Sequence, residues 1–265
     1  MDFDRFSDSV ERRVRFVHER HVITFLNTLL DTSKQRHRRI SEGKYVWRAQ
    51  LGCTTEERMQ NDAVWDEPVA YPPERMKPPP HVAHEGRVNP KGIPCLYVAT
   101  NKETAMAEVR PWIGSKVSVG QLRTMRELTL VDFSQGHDSK LNFFFEESPP
   151  AEREQHIWEQ VDRAFSTPVT AGLSTAEYVP TQVISEFFKK KGVDGVAYKS
   201  QLGPGFNLAL FDLEAASVVN CSLYPVNSIS FTYGELEHSY QTKCRGQKYS
   251  VIKGLDPFIS SFQGR

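Results

Sequence analysis

Apolar residues recur at helical spacing through residues 4–32: Phe6, Val10, Val14 and Val17, then Val22, Ile23, Leu26, Leu29 and Leu30. That pattern predicts one long or two shorter amphipathic helices. The polar, basic run Ser33–Arg39 reads as the solvated end of this helix, with cations near its C-terminal dipole. Tyr45–Gln50 reads as a short strand. Residues 51–94 read as a long loop, because eight prolines between Pro68 and Pro94 oppose a regular helix or a central strand. Cys95–Thr100 has strand character. Asn101 or Thr100 is placed to cap a helix through Arg110, with Pro111 stopping it. Strands are predicted over 116–123 and 127–133, and a helix over 150–166. A second helix follows over 178–188, with Pro180 in its first turn and Gly192 as the residue beyond its end. Val196–Ser200 and Phe206–Asp212 read as strands joined by Gly203-Pro204-Gly205, with further strands at 217–220 and 229–233. The last thirty residues are polar and weakly patterned. The expected fold class is α+β.

Composition narrows the function classes. Lys+Arg and Asp+Glu both number 33, so the chain as a whole has no electrostatic footprint for direct binding of long nucleic acid. No run reaches the roughly 18 apolar residues of a membrane span, and Met1-Asp2-Phe3-Asp4 does not open a secretory signal. Cys53, Cys95, Cys221 and Cys244 form no CxxC pair and read as free thiols in a reducing cytoplasm. His81 and His84 lie among prolines that oppose a helix, so no metal site is expected there.

Three residues taken singly say little. An arginine such as Arg48 beside Trp47 is usually structural, a glutamate such as Glu108 on a short helix is usually solvated, and Ser200 before a glycine-rich turn is usually turn chemistry. GxSxG, HExxH, P-loop and GxGxxG signatures are all missing from the sequence.

Their surroundings change that reading. Gly86-Arg87-Val88-Asn89 with Leu96-Tyr97-Val98-Ala99 resembles the "GRxN…G…LYxA" signature of the RES domain. Ala105 and Glu108 resemble its "A..E" helix, and Trp47-Arg48 its opening arginine. Thr181-Gln182, Gly192–Ser200 and Asn207–Phe211 resemble its later blocks, in the family's order. The three residues for which the family is named correspond to Arg48, Glu108 and Ser200. The chain departs from the family at Val88 and Ala49, where an aromatic is common.

The resemblance implies an α+β fold like that of ADP-ribosyltransferase toxins over residues 45–220. Residues 1–44 would form an N-terminal helical extension, and 221–265 C-terminal strands and a polar tail. It also implies an enzyme that cleaves the nicotinamide–ribose bond of NAD⁺ by hydrolysis or phosphorolysis, as a growth-arresting toxin. Mono-ADP-ribosyl transfer and a catalytically inactive NAD-binding module remain alternatives. NAD⁺ would be substrate rather than cofactor, with phosphate a possible co-substrate. A helix-turn-helix antitoxin would insert into the cleft, whose rim would be residues 66–85, and the N-terminal helices would offer a homodimer contact. In roles, Glu108 would stabilise positive charge on the ribose, Arg48 and Arg87 would pair with pyrophosphate, and Tyr97 would stack on nicotinamide. Ser200 would bond the nicotinamide ribose or a nearby phosphate, and Asn89 and Tyr198 would line the substrate site.

Overall fold

A computed structural model describes residues 2–79, 82–137, 150–168 and 175–233. Chain contacts divide the protein into a unit of Met1–Asn227 and a second of Ser228–Arg265.

The N-terminal apolar pattern forms two helices. Asp2 caps α1 (Phe3–Asp8) by accepting from the Asp4 amide at 3.0 Å, and a π-helical turn follows over Ser9–Arg13. Val14 is extended, which separates this turn from α2 (Arg20–Ser33). In α2, Val22, Phe25, Leu26 and Leu29 repeat at i, i+3, i+4 and i+7 and are all buried. The basic run is only partly a helix end. It tightens into a 3₁₀ turn at Lys34–Arg36 and continues as β1 (His37–Ile40). The Arg38 guanidinium there meets the buried Asp132 at 2.6 Å, so a tertiary ion pair and strand pairing draw the segment into the fold.

The remaining elements are β2 (Tyr45–Leu51), β3 (Thr54–Gln60), β4 (Ala63–Val69), β5 (Leu96–Ala99) and α3 (Lys102–Glu108). After them come β6 (Lys116–Thr124), β7 (Leu128–Asp132), α4 (Pro150–Ser166), α5 (Val179–Lys190), β8 (Gly195–Lys199), β9 (Phe206–Leu210) and β10 (Ala216–Pro225). Residues 51–94 are therefore not a structureless loop throughout. β3 and β4 form a hairpin closed by Asn61-Asp62, both at positive φ (50° and 62°), the geometry of a type I′ turn. Its first proline is Pro68, late in β4, so nothing before it blocks pairing. Every residue of the hairpin except Val69 is exposed. Residues 229–233, expected as a strand, are irregular, and β10 ends at Pro225. Most of the polar tail lies outside the described residues.

Eight strands pair in the order β1-β7-β8-β9-β5-β2-β6-β10, with only β7 and β8 parallel. One face of β7, β8, β9 and β5 packs on α1, α2, α4 and α5, through Phe6, Phe25, Trp158, Phe165 and Phe188 around Val131, Val196 and Ala209. The N-terminal helices expected as an extension supply part of this core, and its buried aromatics tie them to α4 and α5. On the opposite face, Leu128 and Leu130 of β7 share one cluster with Leu122 of β6, Ala216 and the flanking Val218 of β10, and Ile40 of β1. Strands from the two ends of the order meet there, so the sheet is bent over its own apolar face. A third cluster seats α3 on β2 and β6 through Ala49, Ala99, Ala105, Val117 and Val119.

The bend leaves one weak seam. Neighbouring strands elsewhere pair over three residues or more, but β2 and β5 share a single pair, Trp47↔Ala99, and part beyond it. The candidate site is built around this seam.

Candidate functional site

Arg48 follows Trp47, so it lies where β2 leaves β5. Its Nη1 donates to the Tyr97 carbonyl at 3.0 Å, replacing the ladder bond that the parted strands lack. Its Nε is buried and has no acceptor among the described residues. Burial lowers the guanidinium pKa from its ordinary value, and Cys95 and Tyr97 partly oppose this. A cavity of about 550 Å³ opens here, bounded by Arg48, Gln50, Cys95 and Tyr97. Its other wall is the proline-rich segment, with Arg75, Lys77, Pro78, Pro79 and Val82–Gly86. The segment is held down by Met76, which is buried against Gly120. Of the stretch 66–85, residues from Glu74 onward contribute to this wall, whereas 66–69 belong to β4.

Asn89 and Tyr97 shape the same wall. The Tyr97 hydroxyl donates to Asn89 Oδ1 at 2.7 Å and accepts from the Val88 amide at 2.9 Å. Asn89 Nδ2 donates to the carbonyls of His84 and Ile93 at 2.9 and 2.8 Å. Gln182 Nε2 donates to the Gly86 and Asn89 carbonyls at 2.8 and 3.1 Å, and Thr181 Oγ1 donates to the Arg87 carbonyl at 2.6 Å. The Gly86–Asn89 turn is thus clamped by α5. Burial raises the Tyr97 phenol well above its usual value, and a neutral hydroxyl is what this bonding pattern requires. Cys95, whose Sγ contacts the Leu210 carbonyl at 3.2 Å, is pushed up to about 12 by burial and is an inert thiol.

Arg87 is placed differently from Arg48. Its Nη1 and Nη2 each donate at 2.6 Å, to the carbonyls of Ala164 and Thr167. Those are carbonyls left open at the end of α4, so the guanidinium closes a helix terminus and satisfies groups that need a donor. Its ring neighbour is Tyr178, 5.5 Å away. Tyr198 is buried within electrostatic range of Arg87 and Glu108, and burial raises its phenol above the ordinary value.

Glu108 and Ser200 are brought together. Asn101 caps α3 by accepting from the Thr104 amide at 2.8 Å, and the helix ends at Glu108 because Arg110 turns to φ +47° ahead of Pro111. The connection after β8 packs directly on this helix. A Cβ at Gly203 would lie 2.7 Å from the Thr104 backbone, so the close approach requires glycine. Ser200 Oγ donates to Glu108 Oε1 at 2.7 Å and accepts from the amides of Leu202 and Gly203, both at 3.1 Å. Its one donor and both acceptor positions are therefore occupied. Asn207 Nδ2 also donates to Glu108 Oε1, at 2.6 Å. Glu108 is itself exposed, and no group among the described residues donates to its Oε2.

Asn207 is a site residue that sequence reasoning placed only in a matching strand. The available signal was one amide among the apolar residues of Phe206–Leu210, since a buried amide must find a partner. Arg48, Asn89 and Tyr97 share the cavity, while Glu108, Ser200 and Asn207 form a hydrogen-bonded group one step along β5, where Ala99 pairs with both Trp47 and Asn207. Among the described residues no three His, Cys, Asp or Glu side chains converge to hold a metal.

The α+β fold, with a carboxylate anchored by a serine and an asparagine, agrees with the family comparison. The family model of the RES domain matches residues 46–233, and the chain belongs to that family. Among solved structures, the crystal structure of the M. tuberculosis MbcT-MbcA toxin-antitoxin complex aligns over 75% of this chain and 92% of that chain, at 12% identity and a TM-score of 0.39. That likeness is too distant to carry an argument. No curated protein sequence matches.

Proposed function

We propose that the protein cleaves the nicotinamide–ribose bond of NAD⁺. The observation that carries this reading is the state of Glu108: one carboxylate oxygen is held by two donors, and the other has no donor among the described residues. When nicotinamide leaves, the bonding electrons go to its ring nitrogen, and positive charge develops on the ribose C1 and ring oxygen. A fixed carboxylate gains interaction energy as that charge grows, and this is the condition for lowering the barrier. Attack by water yields ADP-ribose, nicotinamide and a proton. Attack by phosphate yields the ADP-ribose 1-phosphate ester and nicotinamide. The two routes share every residue named here.

Arg48 supports the reading from the other side of the seam. Its buried Nε lacks an acceptor among the described residues, in a cavity whose size lies within the roughly 300–1,000 Å³ of small-molecule sites. A phosphate oxygen of the dinucleotide would satisfy it. Arg87 is not assigned to the pyrophosphate, because its fork already holds the end of α4. Tyr97 would present its ring face, since its hydroxyl is committed to Asn89 and Val88. By resemblance to its family, the protein would act in the cytoplasm as a growth-arresting toxin. A helix-turn-helix antitoxin would restrain it by occupying the cleft beside residues 74–86.

The test is incubation of purified protein with NAD⁺, with and without phosphate, followed by chromatographic identification of products. Release of free nicotinamide is expected. Intact NAD⁺ after prolonged incubation with folded protein refutes the proposal.

A further inference from the structure

We infer that Asn207 is a positioning residue for Glu108. Together with Ser200 it holds Oε1 and so dedicates Oε2 to the ligand. The inference rests on the NAD⁺-cleaving reading for its kinetic consequences, though not for its geometry.

Asn207 is well suited to the task. It lies in the central strand β9, paired with Tyr198 on one side and Ala99 on the other, so its Cα is fixed by two ladders. Its side chain is 8% exposed, and its amide donates to Glu108 at 2.6 Å. Ser200 reaches the same oxygen from the turn after β8, fixed by the Leu202 and Gly203 amides. Two donors on one oxygen from two rigid elements restrict the carboxylate rotation that an exposed glutamate at a helix end otherwise has. Because both act on Oε1, the remaining lone pairs on Oε2 are undistracted. Ser200 on this geometry acts through Glu108 rather than through the ligand, since its hydroxyl has no donor or acceptor position left.

Among the described residues Tyr198 on β8 lies within electrostatic range of Glu108. Lys102 and Glu103 share α3 with it and Arg110 follows, but Lys102 sits over the Tyr224 ring and Lys199, at the end of β8, is held by the Pro204 carbonyl at 2.8 Å. No second carboxylate is bonded to Glu108 among the described residues. Asn207→Asp therefore creates one of nearly the same shape at hydrogen-bond distance. Two carboxyl groups so close share a proton and titrate as a pair. While the proton is shared, the introduced carboxyl group still donates to Glu108. Once it is lost, two like charges face each other and the anchor is gone.

The test uses full-length Asn207→Leu, Asn207→Asp and Ser200→Ala proteins, assayed for nicotinamide release across pH and crystallised. Asn207→Leu should lower kcat by about 10- to 100-fold, as expected for losing a hydrogen bond to a charged group, with KM little changed. Asn207→Asp should gain an alkaline limb in its kcat profile, falling as pH rises through the upper titration of the pair, which the wild type lacks. Crystals of Asn207→Leu should show Glu108 in a new rotamer or in more than one. A wild-type kcat and pH profile in Asn207→Asp, or an unmoved Glu108 in Asn207→Leu, overturns the inference. A wild type inert toward NAD⁺, with Glu108 displaced in the Asn207→Leu crystal, refutes the proposed reaction and upholds the anchoring.

Discussion

Changing Glu108 to Gln separates the charge of the carboxylate from its shape. Gln keeps a carbonyl oxygen able to accept from both Ser200 Oγ and Asn207 Nδ2, at the 2.7 and 2.6 Å positions now filled by Oε1. Placing that oxygen inward leaves the amide nitrogen at the Oε2 position, where it is a donor rather than an acceptor. Each anchoring bond falls from the roughly 1.5–3 kcal/mol of a charged partner toward about 1 kcal/mol. With both bonds weakened but kept, global stability should fall by about 1–4 kcal/mol at most, less where solvent reaches the exposed side chain. On the proposed reaction, the stabilisation that grows with positive charge on the ribose is lost with the carboxylate charge. Removing a transition-state contact of this kind typically costs about 3–4 kcal/mol, or about 10²–10³ in rate. Steady-state nicotinamide release should show a fall in kcat with KM nearly constant, the pattern of an interaction made mainly in the transition state. Thermal unfolding would confirm that the variant is folded. Turnover within a fewfold of wild type in folded Glu108→Gln would remove Glu108 from the chemistry and the proposed function with it.

Other perturbations probe neighbouring parts of the structure. Arg48→Lys should weaken NAD⁺ binding by about 1–3 kcal/mol, since an ammonium is a point charge and lacks the rigid fork that holds the Tyr97 carbonyl with Nη1 while aiming Nε at a phosphate. An unchanged dissociation constant by calorimetry would make Arg48 purely structural. Native protein treated with iodoacetamide near pH 8 should be alkylated at the partly exposed Cys53 and Cys221 but not at Cys95, whose thiol is buried and pushed up to about 12. Peptide mapping that finds Cys95 modified would contradict the packing around β5. Burial holds the Asp162 carboxyl above its ordinary value, against the lowering effect of its 2.6 Å contact with His137. Folding therefore takes up a proton at Asp162, and its contribution to stability declines as pH rises from the unfolded toward the folded value. Asp162→Asn should abolish that decline, so urea midpoints of variant and wild type should diverge in the variant's favour as pH rises through this window. Parallel curves would show that Asp162 titrates as it does in the unfolded chain.

The sequence by itself determined the local elements and the residues worth watching. Helical periodicity in α2, α4 and α5, the Asn101 cap, the stop at Pro111 and the glycine after α5 all depend on neighbours within about four residues, so a linear reading captures them. The ordered RES blocks likewise singled out Arg48, Glu108 and Ser200, and the family match over residues 46–233 rests on the same stretch. The β3–β4 hairpin escaped that reading because an exposed ribbon of Thr, Glu, Arg and Asp has no apolar alternation to reveal it. Its Asn61-Asp62 turn was the one local clue. Strand β1 escaped because its polar residues enter the sheet through partners near residue 130. The uses of the polar side chains were decided only by tertiary structure. Ser200 and Asn207 find Glu108 across 92 and 99 residues of chain, Arg87 closes a helix that starts more than sixty residues later, and Arg48 bridges two strands that part at one pair. Hydrogen-bond partners of buried groups follow from which elements the core brings into contact. That choice is made by the summed burial of many distant apolar residues, and no short stretch of sequence carries it.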